Sequence, residues 1–208
     1  MLSALFAATA FVDLKESATE FVKIVTTHFA LLFVHGRRPS IAQLNELPAT
    51  IFLDALIMTL QFDNRDRAKT AGEVLDMMLG VFDVAYGGDK VAIAALPLWN
   101  DLADRLRALC SWYFLVPILW CDYIAESLLS REWYNKAGGV MGITFLIQRL
   151  DVNWVRRQQV AFMGALLYLI RDLSPSISVA TSDEAVHTLI ALVKCCQVKG
   201  ASPFSLFH

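Results

Sequence analysis

The chain has 208 residues, 56% of them hydrophobic and 18% charged, and 18 Lys+Arg against 20 Asp+Glu leave a formal net charge of −2. That much apolar surface excludes a disordered chain, and 10 Gly and 6 Pro exclude collagen-like and low-complexity classes. No basic excess argues for nucleic acid, and the length is enough for a core in one domain or in several stacked units.

In chain order, the N-terminal MLSALFAATAFVDLK is apolar with no basic segment before it, so a cleaved signal is not expected. Helices are expected over 16–34, over 50–61 behind Pro48, and over 64–86, where Ala71, Leu75, Met78, Phe82 and Ala85 step by four and three and Asn64 can cap. Another is expected over 98–116 behind Pro97, and one over 118–129 behind Pro117. Residues 132–150 carry the stripe Trp133, Ala137, Val140, Thr144 and Ile147. Behind Asp151 as a cap, 152–173 carries Val155, Phe162, Leu166, Leu169 and Leu173. The last helix, 183–197, is expected to start at Ser182, with Asp183 and Glu184 favouring its dipole, and to bury Val186, Leu189 and Val193. Residues 158–170 are apolar around most of the helix, which predicts burial on several sides.

Breakers fall between these segments: 36–39, 61–64, Gly87-Gly88-Asp89, Pro97 and 174–176. Short loops make consecutive helices antiparallel neighbours. The expected class is therefore all-α: an α-solenoid of HEAT or armadillo-like antiparallel helix pairs, with a closed bundle as the alternative. The chain divides into a helical N-terminal segment at 1–48, HEAT-like repeats at 49–197 with an apolar insertion at about 108–130, and an irregular tail at 198–208.

No arrangement of ligands or catalytic groups is legible. Cys110, Cys121, Cys195 and Cys196 form no C-x-x-C, and His28, His35, His187 and His208 are scattered. Free thiols in a reducing compartment are expected. Gly138-Gly139 is followed by no G-K-[ST], so it reads as a close helix approach or a break at a helix start. Gly87-Gly88-Asp89-Lys90 reads as a turn. Ser127 and Ser130 lie in no G-x-S-x-G. Asp101 and Asp104 beside Arg105 and Arg107 read as a surface ion-pair face, and Arg65, Arg67 and Lys69 among Asp63 and Asp66 as a solvated helix start. Arg149, Arg156 and Arg157 read as a polar rim. Trp99, Trp112, Trp120, Trp133 and Trp154 read as packing anchors. The site residues expected are none: no catalytic residue, no cofactor and no metal.

The charge-free runs 24–36, 108–121 and 158–170 each fall short of the roughly 18–20 residues that cross a bilayer. A small membrane-associated helical protein remains the alternative reading, carried by 112–120 and the apolar N-terminus.

Residues 131–176 go beyond periodicity. They read W-Y-x-K-x-G-G (Trp133 to Gly139), I-x-F-L-I-x-R-L (Ile143 to Leu150), Trp154-Val155, Q-Q-x-x-F-x-x-A-L-L (Gln158 to Leu167), and Arg171-Asp172-Leu173. This order and spacing resemble the helical-repeat region of the TRRAP family, the transformation/transcription domain-associated proteins, with a looser likeness over 50–196. The resemblance implies a piece of the HEAT-repeat region of a giant nuclear pseudokinase relative of the phosphatidylinositol-3-kinase-like kinases. It implies a non-catalytic scaffold of SAGA-type histone acetyltransferase complexes. Its partners would be protein subunits and transcription activators, with no direct nucleic acid and no small-molecule substrate, and its place would be the nucleus. No kinase role carries over. Two departures, the apolar stretch between Arg107 and Arg131 and the non-helical 197–208, lead to the expectation of a fragment or an imperfect gene model.

Overall fold

The computed structural model describes residues 1–35, 50–62, 65–111, 122–172 and 178–197, with the backbone alone for His35, Arg67, Ser111 and 122–132. Among them the elements are all helices: α1 (Leu2–Ala8), α2 (Lys15–His35), α3 (Thr50–Leu60), α4 (Arg65–Ala85), α5 (Lys90–Ala94), α6 (Leu98–Ser111), α7 (Asp122–Arg149), α8 (Val152–Asp172) and α9 (Val179–Cys196).

The helices form four antiparallel pairs, α1–α2, α3–α4, α6–α7 and α8–α9, with first helices starting at residues 2, 50, 98 and 152. The spacing runs somewhat above the period of about 40–47 residues of HEAT-type repeats, most of all between α6 and α8. First helices stack on first helices, α1 on α3, α3 on α6 and α6 on α8. Second helices stack on second helices, α2 on α4, α4 on α7 and α7 on α9. The result is a two-layer array whose apolar stripes share one core, from Phe6 and Phe52 through Leu75, Trp99 and Val140 to Trp154 and Leu192. This is an all-α solenoid, as the periodicity and short loops predict.

Local chemistry accounts for the boundaries. Gly87 and Gly88 take positive φ, +59° and +79°, which glycine adopts without the Cβ penalty. Asp89 then accepts from the backbone N–H groups of Val91 and Ala92 and starts α5, a one-turn helix too short to show a period. Trp99 is fully buried and ties α5 to α6 through its Nε1–H, which donates to the Ile93 carbonyl at 2.8 Å. Asp151 caps α8 as expected, accepting from the N–H groups of Asn153 at 2.9 Å and Trp154 at 3.4 Å.

Three expectations need correction. From Asp122 on, the helix expected at 118–129 and that at 132–150 are parts of one helix, α7, so Gly138-Gly139 lies mid-helix rather than at a start; 118–121 lie outside the described residues. The last helix starts at Val179, four residues before the expected 183. Its cap is Ser178, whose Oγ accepts from Thr181 N–H at 3.2 Å. Its buried stripe is Thr181, Ala185, Thr188, Leu192 and Cys196; of the residues expected, Leu189 and Val193 are half-buried and Val186 is exposed. And α8, expected to be buried on several sides, keeps one face open: Phe162, Leu166 and Leu169 are buried, but Val160 is 84% exposed and Leu167 is exposed too. Asn64, Leu173, 36–39, 174–176, Pro117 and the end of the helix expected at 98–116 lie outside the described residues, as do the 112–120 run and the 198–208 tail.

Helix α2 changes one membrane estimate. Counted with its few charges rather than by charge-free runs, Lys15–Val34 is long and apolar enough to cross a bilayer by length and composition. Its Val22, Phe29 and Ala30 nevertheless enter the shared core beside α4.

Candidate interaction surfaces

Three glycines set how closely the helices approach. A Cβ at Gly138 would stand 2.3 Å from the Leu60 carbonyl oxygen, and one at Gly139 would stand 2.6 Å from Cys110 Sγ. One at Gly142 would stand 2.3 Å from a Leu106 methyl. Gly138-Gly139 is thus a close-approach site, which brings α7 onto both α3 and α6.

Polar groups then cross the seams between helices. Lys136 is almost fully buried and pairs with Asp172 at the end of α8. The hydroxyls of Thr144 and Thr188 lie 2.7 Å apart between α7 and α9. Arg65 at the start of α4 reaches Glu184 of α9 at 2.6 Å, so the basic helix start is more than a solvated end. Lys69 pairs with Asp66 at 3.1 Å, and the side chain of Arg67 and all of Asp63 lie outside the described residues. Arg149 joins Asp76 of α4 at 3.1 Å and stacks over Phe145, and exposed Arg157 belongs to the same polar rim.

The ion-pair face read from Asp101, Asp104, Arg105 and Arg107 is present. Arg105 joins Asp101 at 3.2 Å, Arg107 joins Asp104, and Arg105 also takes Asp54 from α3. These carboxylates raise the Arg105 pKa against the opposing effect of its partial burial. They neutralise cations and have no catalytic partner in view. Sequence reasoning missed Asp54, Lys136 and Glu184, because a charge in a helix gives no sign of which distant charge it will meet.

The remaining candidates separate. Trp99 and Trp154 are buried, Trp133 is half-buried, and Trp112 and Trp120 lie outside the described residues. Cys110 and Cys196 are buried, Cys195 is half-buried, and all three are free thiols. Burial pushes the Cys110 thiol up to about 12 despite nearby Lys136. Burial, then Cys195, also raises Cys196. His187 is exposed on α9. Cys121, His208 and the side chains of His35, Ser127 and Ser130 are outside the described residues. Among the described residues no group of three His, Cys, Asp or Glu is placed to hold a metal ion.

Two concavities stand out. One, of about 60 Å³, lies among α3, α4, α7 and α9 and is lined by Leu60, Phe62, Trp133, Tyr134, Thr181 and Glu184. It has room for a few waters, well below a typical ligand pocket. The other is an open groove of about 690 Å³ between α2 and α4, with Leu31, Val34, Met77 and Val84 on its walls. Among the described residues the molecule thus presents helix faces and an open groove, which suits protein contact.

Comparison with known proteins agrees with this architecture. The model of the Tra1 HEAT repeat ring region matches residues 1–204. The human Transformation/transcription domain-associated protein is 27% identical over 217 residues, and its zebrafish (Danio rerio) counterpart is 27% identical over the same length. Transcription-associated protein 1 of Drosophila melanogaster is 20% identical over 204 residues. Each match takes in 94% of this chain but 5% of the relative, so the chain spans a small part of the length of these proteins. The likeness is wider than 50–196 and includes the N-terminal pair α1–α2. The chain belongs to the family of the Tra1 HEAT repeat ring region.

Proposed function

We propose that this chain is a non-catalytic scaffold segment that supports activator-dependent transcription regulation in the nucleus, within histone acetyltransferase complexes of the SAGA type. The observation that carries it is the family match over residues 1–204, joined to a two-layer helical core that leaves its polar groups in seams and rims. The mechanism is geometric. Stacked pairs hold extended faces at fixed spacing for other subunits and for activators. We also propose that the boundary near residue 48 separates two repeats of one array, because α1–α2 stacks on α3–α4 as the later pairs stack on each other.

The test is made in the protein that carries this segment. Gly139→Trp, which drives a large ring into Cys110 and the Leu106 carbonyl, should deplete a subset of acetyltransferase-complex subunits in quantitative mass spectrometry of the purified complex. An unchanged subunit stoichiometry, with the segment shown to be unfolded by proteolysis, would reject the scaffold role.

The length of α2 supports a second reading, a small membrane-associated helical protein. Flotation with liposomes separates the two. The scaffold reading expects the chain to stay in the dense fraction.

A further inference from the structure

The geometry points to the groove between α2 and α4 as a docking site for an amphipathic helix with a basic flank, supplied by a partner protein. The inference deepens the scaffold reading and rests on it.

Three observations converge. The first is an apolar trough in the C-terminal halves of the two helices. Residues 27, 31 and 34 of α2 and 77, 80 and 84 of α4 line it, and Val84 is 86% exposed. A helix laid there would cover Leu31, Met77 and Val84 at helical spacing, as in helix-in-groove recognition.

The second is Gly80 in that trough. Gly138, Gly139 and Gly142 each meet a neighbour that leaves no room for a Cβ, whereas a Cβ at Gly80 would meet nothing within 4 Å. A glycine weakens a helix interior, and no contact among the described residues requires one at 80. Its effect is to keep the groove deep where another backbone would approach.

The third is charge. Residues 16, 20, 23 and 27 step by four, three and four, so Glu16 and Glu20 extend the α2 wall towards its N-terminus. By the same spacing Glu73 extends the α4 wall beyond Met77. All three carboxylates are exposed. Lys23 on the wall pairs with Glu20 at 2.8 Å, and Lys69, four residues before Glu73, pairs with Asp66 at 3.1 Å, so each of these cations already meets a carboxylate. The acidic end thus favours lysine or arginine beside the apolar residues of the incoming helix. A second copy of this chain would bring the same carboxylates to the contact and fits poorly.

The probe is a fluorescently labelled 18-residue amphipathic peptide of leucine and lysine, titrated into the full 208-residue chain by anisotropy. A matched peptide of leucine and glutamate is the comparator. The expected result is saturable 1:1 binding of the lysine peptide alone, weakened at least tenfold by Gly80→Arg and also by Glu16→Lys with Glu73→Lys. Gly164→Arg, at another glycine with open space on α8, should leave it unchanged. Circular dichroism checks that each variant keeps its helices. The proposal is overturned by absent binding, by equal binding of the glutamate peptide, by equal binding to Gly80→Arg, or by a chain dimer that Gly80→Arg dissociates. Any of these would leave a folded solenoid, and with it the scaffold reading, intact.

Discussion

Gly138 of α7 lies against the backbone of Leu60 at the end of α3, where a Cβ would stand 2.3 Å from the carbonyl oxygen. The obstacle is main chain, so the helices themselves must part to admit a methyl group. Gly138→Ala should cost about 1–3 kcal/mol through overpacking. Gly80→Ala, into open space, should instead stabilise by roughly 0.5–1 kcal/mol because alanine is the better helix former. Urea unfolding of both variants checks the pair. Equal signs would refute the close-approach account.

The tryptophans predict a graded series. Trp154 is 2% exposed and packs near Phe162, with ring centroids 6.1 Å apart. Trp154→Ala should destabilise by about 3–5 kcal/mol. Trp133, half-buried beside Tyr134, should cost less than half of that. Thermal unfolding with a calorimeter gives both, and a Trp133 cost equal to that of Trp154 would contradict the assigned burial.

The Lys136–Asp172 pair predicts a rescue. Asp172→Asn takes one carboxylate away from the buried Lys136 ammonium and should cost about 1–3 kcal/mol. Lys136→Met in the same chain should recover most of the loss, since the apolar stem can fill the site without a charge. A double variant no more stable than Asp172→Asn would show that the packing, not the charge, was lost.

Cys110 predicts an alkaline slope. Its folded thiol is held up to about 12 from an ordinary 9.0, mainly by burial. Above pH 9 the unfolded thiol releases its proton while the folded one keeps it. Stability is therefore independent of this group below about pH 8 and falls between 9 and 12, by up to about 1.4 kcal/mol per pH unit. Cys110→Ala should flatten that part of the profile. Native Cys110 should also resist a thiol reagent at pH 8. Rapid labelling before unfolding would count against its burial.

How far the helices could be read depended on what sits on the buried face. In α4, Ala71, Leu75, Met78 and Phe82 are all fully or almost fully buried, and the four-three spacing located them. Ala85, at the frayed end of the same stripe, is exposed. In α9 the buried face carries threonines and an alanine beside Leu192; of the expected stripe Leu189 packs half-buried against the core and Val193 is half-buried, while Val186 is exposed, so hydrophobicity located the face only in part. Thr188 tolerates burial because its hydroxyl donates to the Glu184 carbonyl at 2.7 Å. In α7 the buried positions include Lys136 and three glycines, which no apolar count would choose. The groove was invisible for a related reason. It depends on the side-chain-free Gly80 facing Leu31 across two helices that are distant in sequence.

The central claim is that four helix pairs share one continuous two-layer core. It is tested most directly by weakening opposite ends of the array and following the unfolding of the whole. Phe52→Ala acts near the α1–α2 end and Leu192→Ala near the α9 end. Each should lower the midpoint of a single guanidinium transition, reported alike by far-ultraviolet circular dichroism and tryptophan fluorescence. Two separated transitions, with each substitution moving only one of them, would contradict the continuous core.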